Sequence, residues 1–182
     1  MKKTLVTLVI DAIFICVFAS ANVQAAEMPQ STIVTTTQQG LHRWQGKEGT
    51  LIWIAGTEAD VITYRRSFTF YFKSKTDEDL VHVPIVDGPD KFSTTWFSAS
   101  RGETTNADAV VVAKNGLAHL VTVSRENSGK SLKVVSYLLA HGDSDYPDGP
   151  ATIFKKVSSK SLAVKNGQDI DNMLLRKLAA RH

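Results

Sequence analysis

The segment from His141 to Pro150 brings together the side chains with the most chemistry in this sequence. Three carboxylates, Asp143, Asp145 and Asp148, lie within it, and Gly149 permits a sharp bend after them. Clustered carboxylate oxygens are the ligands that hard cations such as Ca²⁺ prefer, so these aspartates are candidate metal ligands. Their spacing departs from the EF-hand loop, and no glutamate follows where that loop places its bidentate ligand. A solvated turn rich in Asp, Gly and Pro is the commoner structure for such a segment, and the sequence favours it.

The same segment carries candidate recognition residues. Ser144 and Tyr146 lie on the predicted turn. A tyrosine on a rigid loop offers a partner a large surface that is apolar on its ring and polar at its tip. The segment is therefore a candidate binding loop whether or not it holds a cation.

Familiar catalytic motifs are missing from the sequence. Gly129-Lys130-Ser131 ends like a phosphate-binding loop, but Ser124 stands where that motif needs its first glycine. No lysine has a serine three residues before it, and no G-x-S-x-G segment occurs. The five histidines include no H-x-H or H-E-x-x-H pair that would supply two zinc ligands from one element. We therefore expect a protein that is not an enzyme and has no cofactor beyond a structural divalent cation; a hydrolase with an unfamiliar site is the alternative.

The first 25 residues predict export from the cytoplasm. Lys2 and Lys3 precede an apolar stretch from Leu5 to Phe18, and Val23-Gln24-Ala25 is typical of a signal-peptidase site. The stretch is shorter than the roughly 20 residues that span a bilayer, and it contains Asp11, so cleavage is favoured over a membrane anchor. This pattern favours the periplasm of a Gram-negative bacterium as the location.

The composition of the remaining chain favours one domain that is held together by packing. Cys16 is the sole cysteine and lies in the signal, so the exported chain has no disulfide. The net charge is +3 with scattered basic residues, which argues against nucleic acid as a partner, and no later segment is apolar enough to span a membrane. We expect a signal peptide over 1–25, a flexible lead-in over 26–39 and a single domain over 40–182.

Alternation of apolar and polar residues predicts a mostly-β fold. The clearest strand runs from Ser67 to Lys73, with Phe68, Phe70 and Phe72 on one face. Asn115-Gly116 separates two such runs and is a strong hairpin signal, because both residues tolerate positive φ. Regularly spaced strands with turns between them predict a two-sheet antiparallel β-sandwich. The other predicted strands cover 51–54, 80–86, 92–98, 109–113, 117–124 and 132–140.

A short C-terminal α-helix is expected to complete the domain. Asp169 can cap its first turn, and Ile170, Met173, Leu174 and Leu178 recur at helical spacing. This apolar stripe would lie on the sandwich or on a partner.

The order of short fragments along the chain resembles that of the carbapenem intrinsic-resistance proteins CarF and CarG. The resemblance covers residues 40–182, and the lack of a cysteine after the signal favours the CarF branch. The fragments that carry it are Gly49–Ala55 (GTLIWIA), Ser67–Tyr71 (SFTFY), Val83–Asp87 (VPIVD), Gly102–Asp108 (GETTNAD), Leu120–Glu126 (LVTVSRE), Val134–Leu138 (VVSYL) and Tyr146-Pro147.

The resemblance implies a periplasmic protein that protects a carbapenem-producing bacterium from its own antibiotic without hydrolysing it. It further implies a β-sandwich with short terminal helices, a homodimer, and room for a companion resistance protein or a cell-wall target as a partner. A cation site in the CarG-like fold adds to the case for Asp143, Asp145 and Asp148. Arg125 is a candidate for meeting the carboxylate of such an antibiotic.

Kinship of that family with periplasmic inhibitors of invertebrate-type lysozyme implies an alternative function. Those inhibitors present a serine and a tyrosine on a protruding loop. Ser128-Gly129 begins like their S-G-x-Y pattern, but Ser131 stands in place of the tyrosine. Ser144 and Tyr146 match the pattern poorly and are the remaining candidates for entering a lysozyme cleft. Protection against a carbapenem is therefore the first prediction and lysozyme inhibition the second.

Overall fold

The structure of the chain is a computed structural model that describes residues 31–34, 39–59, 63–88, 91–101, 104–142, 149–164, 170 and 172–180. The predicted signal peptide and much of the predicted lead-in lie outside these ranges. Within the lead-in, Ser31–Val34 forms a strand, where the sequence predicted a loose segment. None of the helices in the described ranges is long and apolar enough to cross a membrane.

The described residues form a β-sandwich with one short helix, as predicted. The single run predicted over 80–86 is divided into two strands, and so is the run over 92–98. The strands are β1 (Ser31–Val34), β2 (Gly40–Gln45), β3 (Gly49–Ala59), β4 (Thr63–Ser74), β5 (Leu80–His82), β6 (Ile85–Gly88), β7 (Lys91–Ser93), β8 (Thr95–Phe97), β9 (Ala99–Arg101), β10 (Thr104–Lys114), β11 (Leu117–Glu126), β12 (Ser131–His141) and β13 (Thr152–Ala163), and the helix is α1 (Asn172–Ala179).

Two layers face each other across an aromatic core. The front layer contains β2, β3 and β4, which pair in antiparallel order, and the back layer contains β10 to β13. Phe68 and Phe70 are fully buried on the inner face of β4 and Phe72 is partly buried, so the predicted alternation is confirmed. Phe70 meets Phe154 of the back layer edge to face, with ring centroids 5.0 Å apart. The other buried members of this core are Leu51, Trp53, Ala55, Val83, Ile85, Ala109, Val111, Ala118, Leu120, Val135 and Tyr137.

The two layers are joined at two places along one edge of β4, the edge that does not pair with β3. At the first place, β9 pairs with β4 and also with β10, so the hydrogen-bonded ladder passes from one layer into the other. At the second place, β5 pairs with β4 while β6 pairs in parallel with β13. The Val83 amide donates to the Phe70 carbonyl, and the Phe154 amide donates to the Pro84 carbonyl, both at 2.8 Å. The sheet is therefore antiparallel except at β6–β13, where a single extended stretch crosses between the layers.

The helix covers the outer face of the back layer. Leu175 and Leu178 of α1, together with Ile170 before it, pack on valines whose side chains point away from the aromatic core. Consecutive valines such as Val110 and Val112 on this face and Val111 on the inner face explain why β10 is apolar on both sides. The predicted stripe thus lies on the sandwich itself; the predicted cap Asp169 and the side chains of Met173 and Leu174 lie outside the described residues.

A buried ion pair fastens the edge where β9 joins the layers. The Arg66 Nη2 atom of β4 lies 2.5 Å from Asp108 Oδ2 of β10, and the two side chains are only 12% and 3% exposed. Ser98 ties in the backbone, since Arg66 N donates to Ser98 Oγ at 2.7 Å and Ser98 N donates to Arg66 O at 2.8 Å. Burial raises the pKa of Asp108 above its usual value, although the Arg66 charge and the Ala109 amide act in the opposite direction. We call these three residues, Arg66, Ser98 and Asp108, the corner.

Replacing only the cation of the corner will destabilise the fold. Arg66→Met leaves the Asp108 carboxylate buried without its guanidinium, so the free energy of unfolding will fall by about 3–5 kcal/mol at neutral pH. The folded-state pKa of Asp108, already raised, will rise further, so folding takes up a proton and the loss will shrink as the pH is lowered through that pKa. Urea unfolding at about pH 7 and about pH 4.5 measures both effects.

The control is the double variant Arg66→Met with Asp108→Leu. Removing both charges leaves no buried carboxylate to neutralise, so the double variant will be more stable than Arg66→Met and will lack its added pH dependence. Equal losses in the single and double variants would show that the ion pair does not hold the corner.

Candidate ligand-binding cleft

A cleft opens at one end of the sandwich, between the tip of the β2–β3 hairpin and the adjoining ends of β12 and β13. It consists of two cavities of about 340 Å³ and about 470 Å³. The lining residues that both cavities share are Lys47, Glu48, Phe72, His141 and Thr152. Small-molecule sites typically measure about 300–1,000 Å³, so each cavity is large enough for a small ligand.

The first cavity has an aromatic floor, and we call it the aromatic lobe. Trp44 of β2 and Phe72 of β4 lie in one cross-strand row on either side of Leu51, and their rings are partly buried against the core. The back layer supplies the other apolar lining residues, Leu117, Ala118, Leu139 and Ala140. The same period-two alternation that fills the core therefore places aromatic rings at its open end.

Two glycines allow the hairpin to lie close to these rings. Gly46 N donates to Gly49 O at 2.8 Å and closes the turn. A Cβ atom on Gly46 would lie 2.6 Å from the Trp44 ring, and one on Gly49 would lie 2.3 Å from the Lys73 carbonyl oxygen. Side chains at these positions would push the hairpin away from the aromatic floor, so the cleft depends on glycine at both of them.

The tip of the hairpin carries charges to the rim of the cleft. Lys47 and Glu48 lie between the two glycines, and the Glu48 carbonyl accepts the Lys75 amide at 3.0 Å. Glu48 Oε2 lies 3.2 Å from His141 Nε2, and the two side chains are 69% and 79% exposed. Exposed pairs of this kind contribute only about 0–1 kcal/mol, so solvent or a ligand can replace this contact at little cost.

The second cavity has an acidic wall, and we call it the acidic lobe. Asp77 and Asp79 line it together with Lys75. The Asp79 amide donates to Asp77 Oδ1 at 3.1 Å, which orders the loop after β4. The hydroxyls of Ser74 and Thr76 lie 3.0 Å apart and hydrogen-bond each other.

Most of the site residues that were predicted from the sequence do not fall among the described residues of the cleft. Ser144, Tyr146 and the proposed metal ligands Asp143, Asp145 and Asp148 lie outside the described residues. The strand residues on either side, His141 and Thr152, pair with each other and line both cavities. Just beyond this pair, the Gly142 amide donates to the Ala151 carbonyl at 2.9 Å. Within the described ranges, no three His, Asp or Glu side chains are arranged to hold a metal ion.

Arg125 does not belong to the cleft. It lies near the end of β11, whereas Leu117 at the beginning of that strand lines the aromatic lobe, which separates the two by about 26 Å along the strand. Its Nε atom donates to the Thr105 carbonyl at 3.2 Å. Arg125 therefore ties β11 to β10 in this structure.

The turn that resembles the lysozyme inhibitors does not present a residue in place of their tyrosine. Asn127, Ser128 and Gly129 all have positive φ, at 51°, 56° and 86°. Ser131, which stands where the inhibitors have tyrosine, is buried, and its Oγ accepts a hydrogen bond from Asn127 Nδ2 at 2.9 Å. Nothing at this turn favours lysozyme inhibition, and the alternative with Ser144 and Tyr146 stays a prediction.

The titratable groups with shifted pKa values, among the described residues, line neither cavity. A hydrogen bond from Lys156, at 2.8 Å, holds the pKa of Asp87 below its usual value. Burial, with a smaller contribution from Asp87, raises the pKa of Tyr137 to about 12. Burial and the nearby Lys114 lower the pKa of His119 in β11. These shifts report packing within the sandwich and do not mark the cleft.

Sequence reasoning missed the cleft, although a signal for it exists. The segment from Trp44 to Gly49 reads W-Q-G-K-E-G, with an aromatic residue, two charges and two glycines in one hairpin. Glycines on both sides of a charged pair indicate a tight turn that holds its charges at a fixed place. The hairpin forms only part of the cleft, because Phe72 and His141, which are distant from it in sequence, also line both cavities.

Comparisons with known proteins identify the fold. No protein-family model matches the sequence, and no curated protein matches it. Among solved structures, the crystal structure of CarG matches with a TM-score of 0.59 and 13% sequence identity, covering 71% of this chain and 85% of that chain. At this identity the likeness shows the fold alone, and the chain has a CarG-like fold. The predicted resemblance is thereby confirmed at the level of the fold.

A methyl group on Gly49 will disturb the cleft and the strands beside it. In Gly49→Ala the new Cβ would lie 2.3 Å from the Lys73 carbonyl and 2.6 Å from the Phe72 ring, so β3 and β4 must separate locally. We expect the free energy of unfolding to fall by about 1–3 kcal/mol. Gly88→Ala is the matched control, because a Cβ at Gly88 has no atom within 4 Å and its φ is not positive. A loss of stability that is equal in the two variants would exclude the close approach at Gly49 as the cause.

Proposed function

We propose that this chain is exported to the periplasm and protects a bacterium against a carbapenem without hydrolysing the drug. The observation that carries the proposal is the CarG-like fold, which covers most of both chains. The order of short sequence fragments along the chain, which resembles that of CarF and CarG, also supports it. The end cleft supplies a place where such a protein can meet a small molecule.

The chemistry of the cleft supports binding over hydrolysis. Attack on a strained amide needs an activated nucleophile with a base within hydrogen-bonding distance. The Ser74 and Thr76 hydroxyls bond each other, and the His141 ring faces the Glu48 carboxylate. These contacts favour a cleft that holds a ligand by its charges and its apolar surface.

Export is supported by the sequence pattern, and the way the domain is stabilised is compatible with it. The chain after Cys16 contains no cysteine, and its core is built from aromatic and branched aliphatic side chains. Such a domain does not depend on the redox state of its compartment. It can fold after translocation without waiting for a disulfide to form.

Two measurements test the proposed function. The purified chain from Ala26 onward, mixed with a carbapenem, will leave the ring absorbance of the drug unchanged, since no bond is broken. In the native host, deleting the gene will lower the carbapenem concentration that stops growth, and the gene with its signal segment will restore it. The same gene without residues 2–25 is the matched control, and it will not restore tolerance.

Each measurement has an outcome that contradicts the proposal. Loss of ring absorbance with turnover would make the protein a hydrolase. Unchanged tolerance after deletion would remove the protective role. Restoration by the gene without its signal segment would place the action in the cytoplasm.

A further inference from the structure

The two lobes of the cleft combine an apolar surface with charges of both signs. The aromatic lobe contains Trp44, Phe72 and Lys47, whereas the acidic lobe adds Asp77 and Asp79. The lobes share five lining residues, so one small molecule can reach both. This arrangement differs from an apolar groove, which would accept any hydrophobic surface. It also differs from a patch with charges of a single sign, which would accept any counter-ion.

We propose that the cleft binds a small zwitterion that carries a compact ring between its two charges. The carboxylate of the ligand lies between Lys47 and His141, the ring lies over Trp44 and Phe72, and the ammonium group enters the acidic lobe. This inference deepens the proposed function, on which it rests for the choice of a carbapenem as the probe. It adds the ligand's charge pattern, which neither the CarG-like fold nor the fragment order specifies.

The floor of the aromatic lobe favours a ring. Trp44 and Phe72 are only partly buried, so a ligand that covers them removes further apolar surface from water. Aromatic faces stack with flat apolar groups and tolerate variation in their identity. Leu139 opposite them closes the slot from the back layer.

The charges of the rim are available to a ligand. In the described part of the chain, Lys47 has no ion pair, and Asp77 and Asp79 make none either. The one contact between the two aspartates joins the backbone amide of Asp79 to one carboxylate oxygen of Asp77. The acidic lobe is lined by three side-chain carboxylates and two lysines, namely Glu48, Asp77, Asp79, Lys47 and Lys75. The carboxylates outnumber the lysines by one, so an ammonium group of a ligand completes the charge balance.

Glu48 acts as the competitor of the ligand carboxylate. Its Oε2 atom lies 3.2 Å from His141 Nε2, yet the pair is largely exposed and therefore weak. A ligand carboxylate that takes its place gains Lys47 as well. Removing the charge of Glu48 removes this competition, so Glu48→Gln will bind the ligand about two- to fivefold more tightly than the original chain. A structural role alone would predict weaker binding or no change.

Isothermal titration calorimetry on the chain from Ala26 onward tests the charge pattern. The probes are a carbapenem with a primary amine on its side chain and the same drug with that amine acetylated, which leaves only the carboxylate charged. The amine form will bind about three- to tenfold more tightly, because only it engages the acidic lobe. The double variant Asp77→Asn with Asp79→Asn will bind both probes with the affinity that the original chain has for the acetylated one.

Glu78→Gln is the matched control for the acidic lobe. Glu78 lies between the two aspartates in the sequence and is exposed, but it lines neither cavity. Its variant will keep the preference for the amine form. Lys47→Gln will weaken the binding of both probes, whereas Lys160→Gln, an exposed lysine of β13 outside the cleft, will weaken neither.

The outcomes separate this inference from the proposed function. Equal affinity for the two probes, an effect of Glu78→Gln as large as that of the double variant, or no heat with either probe would overturn the zwitterion site. If tolerance in the host still depends on the gene, the protective function stands without it. If the charge preference is found but deletion leaves tolerance unchanged, the site stands and the protective function fails.

Discussion

Closure of the sandwich at the corner is the constraint on which the rest of the structure depends. The ladder passes from the front layer to the back layer through β9, and the register of β10 shifts between Thr105 and Ala107 at this point. Arg66 and Asp108 meet there, in a chain whose single cysteine, Cys16, can form no disulfide within the chain to fasten the layers. Burial raises the pKa of Asp108 although the Arg66 charge acts to lower it, as expected where desolvation of a buried pair offsets its attraction. We interpret the pair as fixing which residues of β4 and β10 meet, more than as a source of net stability.

The edge of β4 that joins the layers leaves few backbone groups for a ligand, whereas an end of the sandwich is open. Along this edge the backbone groups are engaged in the ladder, as the amide of Val83 and the carbonyl of Pro84 illustrate. At the end formed by Gly46 and Gly49 the inner-facing row of side chains reaches solvent instead of another layer. The rings of Trp44 and Phe72, which would be buried in the core if they lay one row further from this end, form the floor of the cleft. Lys47 and Glu48 of the hairpin turn supply charges at its rim. A rigid frame with variable loops is a common division of labour in binding proteins.

Sequence patterns predicted the parts of this fold that depend on neighbours in the chain. Alternation identified the face of Phe68 and Phe70, and Asn115-Gly116 forms the expected turn with φ of 52° and 74°. Patterns of that kind do not say which distant strands pair, so the parallel pairing of β6 with β13 was missed. For the same reason the contact of Arg66 with Asp108, 42 residues away, and the meeting of Glu48 with His141 could not be read from spacing. The carboxylates of the 141–150 segment form a recognisable sequence pattern because they are close in sequence, whereas the cleft is assembled from five separate stretches of chain.

The exposed charges of the cleft can make only weak ionic contacts, and this limits how a protein that protects against a drug could act. Each exposed charge contact contributes about 0.2–1 kcal/mol, and covering part of two rings adds a few kcal/mol at most, from which the cost of immobilising the ligand must be subtracted. Such sums allow affinities of about a millimolar and exclude tight binding. A protein that merely captures a drug at that affinity protects a cell only when it is present above the dissociation constant and outnumbers the drug. A protein that binds the drug where the drug meets its cell-wall target escapes this requirement, because the local concentrations decide the outcome. The proposed protection is therefore more effective if the chain also binds a partner at the cell-wall target than if it only captures the drug in solution.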